Sequence, residues 1–571
     1  DEAIEQLKRI IAKVDDRTPG KADLLYELSE FYWEKSKSLE RQEVARSEAA
    51  YRHYQAARGR SERAQEPKED HVQSEHFRQE AIGLYEIILR DYPDYERTDE
   101  VLFALGYNLY DTGKAGPAIE RYRQLIREHL HSRFVPDTYL QLGNHYFDVQ
   151  SDLAHAREYY QKALSSDAPK IRSYALYKLA WCDYNAGDLQ GSLNKLKQVV
   201  DYAETRGSER VDLKNEALGD LVLIFVQLDL SEEGISYFRR KAPRERQAKL
   251  ISRLGERVAE AGHHEKAIQI YRHLLEQSPN DPDAPQFQQA IVRSYEGLRQ
   301  RDKVRDEVQR LAMLYRPDSA WWRANANTAA TLRNAFQVSE EAMRNLVTEY
   351  HQEAQKTKQA ETYRLARDIY KQYVDSFATS EDPDRVSDHA FNLRFYYAEI
   401  LWALEEWGNA AIQYDAVVDF KIPDRQSARE VSDPKYREHA AYNAVLAYDK
   451  QVNIERGLLA PSHLNGGQTV DEQKGKGKVA STSLRMANEQ RASAAQPLTA
   501  PEKKLVAVCD RYNGLFPNNP NEIDLRYQAA VVFYDRRQDA VAVRRFGEIT
   551  LKWPEERRSQ QAADLSMHLL E

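Results

Sequence analysis

Three segments of this chain are versions of one another. Leu105-Gly106-Tyr107-Asn108-Leu109-Tyr110, Leu142-Gly143-Asn144-His145-Tyr146-Phe147 and Leu179-Ala180-Trp181-Cys182-Asp183-Tyr184 recur at an interval of 37 residues. Each precedes a short Gly/Asp turn and then a second helical pattern with a small residue. Self-similarity at this period means repeated helical hairpins, each burying its apolar face only against its neighbours. Such an array escapes the size limit of a single core, which 571 residues would otherwise exceed. With 23 glycines against 35 tyrosines, the chain is also too poor in Gly for a turn-rich all-β protein. The expected fold is all-α: a right-handed superhelix of about nine hairpins with two inserted loops.

The best-preserved unit runs from Leu254 to Pro279, with Gly255 and Val258 on the first helix, Gly262 in the turn, then Ala267, Tyr271 and Leu274. Others carry Ala398 and Leu401 followed by Ala410, Tyr414 and Val417, and Ala530 and Phe533 followed by Ala542, Phe546, Ile549 and Pro554. Isolated second helices show Ala81, Tyr85, Ile88 and Pro93, then Ala366, Tyr370 and Tyr373, then Cys509, Tyr512 and Pro517. Small residues let the two helices of a hairpin approach, and the aromatic fills the space between hairpins. This pattern resembles the tetratricopeptide repeat. The expected organisation is an N-terminal array over 1–315, a divergent helical join over 316–350 and a C-terminal array over 351–571. A charged insertion at about 34–76, with a break near Gly59, should extend its flanking helices. A second insertion at about 453–501, carrying Gly466-Gly467, Gly475 and Gly477, reads as a flexible loop. Both fall between the first and second helix of a hairpin and should emerge on one side. The chain opens at Asp1 without Met and ends within the helix-like stretch Gln560 to Leu570, so it is expected to be a piece of a longer protein.

A net charge of −9 leaves no electrostatic footprint for nucleic acid. The longest apolar run, Leu221 to Val226, is too short to span a bilayer. Cys182 and Cys509 read as small core residues. No catalytic or metal constellation stands out. Gly475-Lys476-Gly477-Lys478 is followed by Val479, so the hydroxyl that would bind magnesium in a phosphate loop is missing, and a basic solvated loop is expected. His263-His264-Glu265 lacks the second His of a zinc helix and reads as an exposed turn; His129 and His131 suit a helix C-terminus. The expectation is a non-enzyme without cofactor or metal.

In hairpins of this kind the first helix lines the concave face. Counting from the small residue, the groove stripe contains Phe103, Tyr107, Tyr110 and Asp111, then Leu140, Asn144, Phe147 and Asp148, then Tyr174, Tyr177, Trp181 and Tyr184. Later units add Phe395, Glu399 and Trp402, then Tyr527, Val531, Tyr534 and Asp535. Packing between hairpins competes with groove exposure for each aromatic. As a stripe, aromatics with carboxylates suit a basic or apolar peptide or helix. They do not suit a terminal carboxylate, which an acidic groove would repel.

Tyr174-Ala175-Leu176-Tyr177-Lys178-Leu179-Ala180-Trp181, His351-Gln352-Glu353-Ala354-Gln355-Lys356-Thr357-Lys358, Phe395-Tyr396-Tyr397-Ala398-Glu399 and Arg511-Tyr512 with Phe516-Pro517 are more specific. Together they resemble large tetratricopeptide repeat proteins of deltaproteobacteria, some of which serve the adventurous gliding-motility machinery of myxobacteria. That resemblance implies a periplasmic or envelope-associated scaffold, with a cytoplasmic placement left open. The alternatives are the regulatory array of an enzyme whose catalytic domain lies outside this chain, and a self-associating structural protein.

Overall fold

The computed structural model describes residues 2–16, 18, 20–59, 71–205, 213–380, 385–420, 434–461, 464, 468–474, 476 and 492–570. Among these, 25 α-helices follow one another, and consecutive helices pair as hairpins. Two compact units divide at Val258/Ala259, upstream of the join expected at 316–350. The best-preserved repeat, Leu254 to Pro279, spans that boundary.

The first unit opens with α1 (Glu2–Ile11). Five hairpins follow: α2/α3 (Lys21–Gly59, Val72–Asp91), α4/α5 (Thr98–Asp111, Ala115–Glu128), α6/α7 (Val135–Asn144, Leu153–Leu164), α8/α9 (Pro169–Asn185, Leu189–Thr205) and α10/α11 (Leu213–Gln227, Ser231–Lys241). Helix α12 (Arg244–Glu260) comes next and α13 (His264–Gln277) opens the second unit. That unit holds α14/α15 (Ala284–Gly297, Arg301–Leu314), a short α16 (Ala320–Ala324), α17/α18 (Ala329–Thr357, Ala360–Phe377) and α19/α20 (Ala390–Ala403, Trp407–Asp419). It closes with α21/α22 (Pro434–Glu455, Ala500–Leu515), α23/α24 (Glu522–Asp535, Asp539–Lys552) and α25 (Arg557–Leu570). Among the described residues five hairpins lie within each unit, more than the nine expected for the whole chain. The hairpins the sequence did not announce are α10/α11 and α14/α15, while most of the divergent join lies in the 29-residue α17. Helix α2 runs unbroken for 39 residues to Gly59.

The small-residue rule has a direct steric cause. A methyl group at Gly106 would lie 2.6 Å from the Tyr122 ring, and one at Gly143 would lie 2.6 Å from Tyr160. Both rings are wholly buried. The Gly therefore belongs to the helix crossing itself. The turns inside hairpins are equally regular. Gly113, Gly187, Asp229, Arg299, Glu405 and Arg537 all have left-handed backbones. The amide after each returns to a carbonyl five residues earlier, as in Lys114 N to Leu109 O at 2.9 Å and Gln538 N to Phe533 O at 3.0 Å. This closes the helix with a Schellman bond.

One hairpin departs from regularity. Tyr122 follows Gly106 by sixteen residues, whereas Tyr160 follows Gly143 by seventeen. The surplus residue sits in a π-helical turn, His145–Val149, which continues α6. Insertion of one residue into a helix characteristically widens it in this way. The additional residue of this hairpin thus lies inside its first helix.

Cys182 and Cys509 are buried in the helical packing, as expected. Burial pushes both thiols up, Cys182 to about 11. A buried carboxyl, Asp449 of α21, accepts from Gln528 Nε2 at 2.6 Å and Asn453 Nδ2 at 3.1 Å. Burial pushes it up to about 6.

Gly143→Ala should cost about 1–3 kcal/mol by overpacking, read as a lower denaturation midpoint. Adding Tyr160→Leu should recover part of the loss; a neutral Gly143→Ala would refute the steric account. Because the folded carboxyl of Asp449 titrates above its unfolded value, its stabilising contribution is complete at acid pH and is lost as pH rises through about 6. Melting of Asp449→Asn at pH 5 and pH 7.5 should show the variant gaining on the parent at the higher pH.

Candidate functional site

In the first unit most of the expected stripe lies where successive first helices meet, half-buried and bonded from one hairpin to the next. Tyr107 of α4 sets its edge against Trp33 of α2, with ring centroids 6.4 Å apart. Tyr110 bonds His145 Nδ1 at 3.3 Å. Asn144 Oδ1 accepts from Tyr160 at 2.7 Å and from Tyr174 of α8 at 3.4 Å. Tyr177 donates to Asp220 of α10 at 2.7 Å, and Gln227 Nε2 donates to Tyr184 at 2.9 Å. Trp181 lies between Tyr177 and Tyr184, edge-on to both at 6.5 and 5.2 Å. Phe103 differs: it stacks on Phe134 at 5.1 Å and packs against Tyr122, inside the hairpin. Leu140 is likewise buried.

The carboxylates of this surface already have partners. Asp111 pairs with Arg78 at 3.2 Å and Asp148 with Lys178 at 3.5 Å. Lys178 also lies 4.9 Å from the Phe147 ring centroid and 5.8 Å from Tyr174. Lys37 sits 3.6 Å from Trp33 and 5.4 Å from Tyr107. Burial lowers the Lys37 ammonium and raises the Asp220 carboxyl. The surface is aromatic as expected, but its acidity is largely neutralised by lysines and arginines of its own helices.

In the second unit the stripe is closed. Phe395, Trp402, Tyr527, Val531, Tyr534 and Asp535 are all buried, which corrects their placement in an open groove. Tyr527 and Tyr534 pack on Phe546. Asp535 pairs with Arg456 at 2.5 Å, and Arg456 also holds the fully buried Glu502 at 2.7 Å. Phe395 packs among Tyr396, Tyr414 and Tyr436.

Trp402 is covered from two sides. Its ring meets Trp407 at 4.7 Å, and its Nε1 donates to the carbonyl of Lys474 at 3.2 Å. Lys474 belongs to the second insertion, parts of which lie along α17, α18 and α19 as a strap. Gln359 and Thr469 form an antiparallel bridge. Ala360 N bonds Gln468 O at 3.0 Å, and Val470 N bonds Lys358 O at 2.7 Å. Tyr363 donates to Glu472, Lys474 pairs with Glu405 at 2.5 Å, and Lys476 pairs with Glu399. Lys476 also stands 5.7 Å from the Trp402 ring. The expected basic solvated loop is therefore, at Lys476, a docked side chain. Gly466-Gly467, Gly475 and Gly477 lie outside the described residues. His264, expected in an exposed turn, packs against α14, where a Cβ on Gly297 would approach its ring to 2.4 Å.

A comparison with family models matches residues 174–203 to the tetratricopeptide repeat. These residues span most of α8 and α9, whose first helix carries Trp181. The chain thus carries a tetratricopeptide repeat (TPR) at residues 174–203. TPR arrays typically serve protein–protein interaction. No curated protein matches the sequence. Among solved structures, it is similar to a TPR protein from Parabacteroides merdae, at 13% identity and TM-score 0.26, covering 60% of this chain and 99% of that one. It is also similar to YrrB, described as a TPR protein with an unusual peptide-binding site, at 16% identity and TM-score 0.23, covering 38% and 98%. The Naa15/Naa10 complex bound to HypK-THB matches at 13% identity and TM-score 0.29, covering 92% of this chain and 66% of that one.

Sequence reasoning missed the cations of the TPR surface. Lys37 and Lys178 follow an aromatic residue at helical spacing, Trp33 four residues earlier and Tyr174 four residues earlier, a signal that was available. Lys474 and Lys476 carried no such signal, because their partners lie about 70 residues away. Among the described residues no helix is long and apolar enough to cross a membrane.

Proposed function

We propose that this chain is a non-enzymatic scaffold that binds extended or helical segments of partner proteins on the first-helix surface of its repeats. The observation that supports the reading is the series of half-buried aromatics Trp33, Tyr107, Phe147, Tyr177, Trp181 and Tyr184, carried on four first helices: α2, α4, α6 with its π turn, and α8. Each ring is braced by a neighbour in the next hairpin, so a ligand would meet a surface that loses little freedom on binding. Trp181 is the strongest anchor candidate: a large ring in the middle of the ladder, of the type that dominates interface energetics. With Asp111 and Asp148 of the stripe already paired, apolar contact supplies most of the affinity there. Among the perturbed carboxyls, Asp449 and Asp535 are raised in the packed interior, where they serve packing rather than chemistry.

The scaffold is further proposed to work in a bacterial cell envelope, in an assembly such as a gliding-motility complex. The sequence phrases around Tyr174–Trp181 and Phe395–Glu399 support this reading, and the periplasm is the compartment they favour.

Trp181→Ala should weaken capture of a native partner at least tenfold, equivalent to about 1.4 kcal/mol, with helical circular dichroism and melting nearly unchanged. Loss of helicity would make Trp181 a core residue; unchanged capture would remove the surface from consideration. Fractionation of source cells should place the chain with the envelope or periplasm, and recovery solely in the cytosol would end the envelope proposal.

A further inference from the structure

The two units satisfy their aromatic-carboxylate sites differently. In the first, Lys37 and Lys178 are rooted in the helices that form the surface. In the second, the cations arrive on an insertion that leaves α21 at Glu455 and returns at α22, which begins at Ala500. The receiving carboxylate is held by groups of the helices themselves, independently of the lysine. Glu399 Oε1 accepts from Tyr414, a fully buried hydroxyl, at 2.5 Å and from Asn443 Nδ2 at 3.2 Å, while Oε2 receives Lys476. Trp402 presents its ring beside that ammonium and its Nε1 to a backbone carbonyl. Glu405, one turn on, takes Lys474. An oriented carboxylate, an indole face and an indole donor are what an extended, lysine-bearing segment requires.

The strap itself is lightly anchored. Of its described residues only Val470 is buried, and Lys474 is 63% exposed. Its backbone holds α17 and α18 through one bridge and adjoining bonds. The remaining contacts are side-chain ion pairs and hydrogen bonds, of the kind that exchange readily in water.

We propose that the face formed by Glu399, Trp402 and Glu405 is a docking site for an extended, lysine-bearing segment of a partner protein, and that residues 468–474 with Lys476 are its resident competitor. This deepens the scaffold reading and rests on it, but uses a different surface from the Trp181 ladder. A tethered competitor acts at high effective concentration. The site is therefore closed to weak single-point ligands and opens to a segment that offers lysine together with backbone pairing at Lys358 and Ala360.

The test uses the full chain and a fluorescent peptide spanning residues 468–478, followed by anisotropy. Lys474→Ala/Lys476→Ala should bind the peptide at least tenfold more tightly than the parent, and adding Glu399→Gln should abolish that gain. Lys474→Gln/Lys476→Gln provides the same readout if the alanine pair does not accumulate. No gain, or a gain that survives Glu399→Gln, overturns the proposal. Concentration-dependent dimers of the parent chain in light scattering that the Lys474→Ala/Lys476→Ala variant does not form also overturn it, because the occupant would then be the insertion of a second copy. A native partner lost on Trp181→Ala but indifferent to the strap variants would uphold the scaffold reading and reject this site.

Discussion

The contact on which these hairpins depend is the one between the small residue of a first helix and the aromatic ring of the second. Where glycine stands, at positions 106 and 143, the ring lies where a methyl group would be. That approach brings two helix axes close enough to bury a tyrosine whole, and the rest of each hairpin arranges itself around the buried ring. Ile119 and Leu142 share a core cluster with Tyr122, and Leu142 is inaccessible to solvent. The polar end of the ring is handled case by case: Tyr160 reaches Asn144, Tyr85 reaches Glu30 and Tyr414 reaches Glu399. In the last case the same tyrosine that closes a hairpin also orients a carboxylate on the surface. Packing and recognition are thus linked through one side chain.

How much of this was legible depends on the range of the interaction. The small-residue and aromatic spacing is local and repeats, so the helical hairpins could be read directly. The turns were half visible. Gly113 and Gly187 announce a left-handed residue, but Asp229, Arg299, Glu405 and Arg537 adopt the same conformation against their preference because the hairpin closure demands it. The surface stripe was legible in the first unit, where each residue meets its counterpart one repeat away. It failed in the second, because Trp402 looks like Trp181 in its helix and differs in the Trp407 ring and the distant insertion that cover it. Asp535 likewise reads as a surface acid until Arg456, 79 residues earlier, is seen to pair with it.

Charge was the other misjudged quantity. A list of aromatic and acidic positions suggested an acidic surface, yet the lysines that follow the aromatics on the same helices restore balance. Lys178 sits between Phe147, Tyr174 and Asp148, using both its charge and its hydrocarbon stem. Such a lysine stiffens the surface while leaving the neighbouring rings accessible at their edges. Selectivity by charge is therefore concentrated where the cation is carried on a separate segment.

The π turn at His145–Val149 has a consequence of another kind. It accommodates an additional residue within a helix while the crossing of Gly143 and Tyr160 is preserved, so the hairpin core is indifferent to the change in length. Phe147 and Asp148 lie within the turn, and its wider winding rotates them relative to their equivalents in an α-helical neighbour. A single inserted codon can thus redraw one rung of the inner surface without retuning any core residue. Repeats built this way can diversify what they present faster than they diversify how they fold.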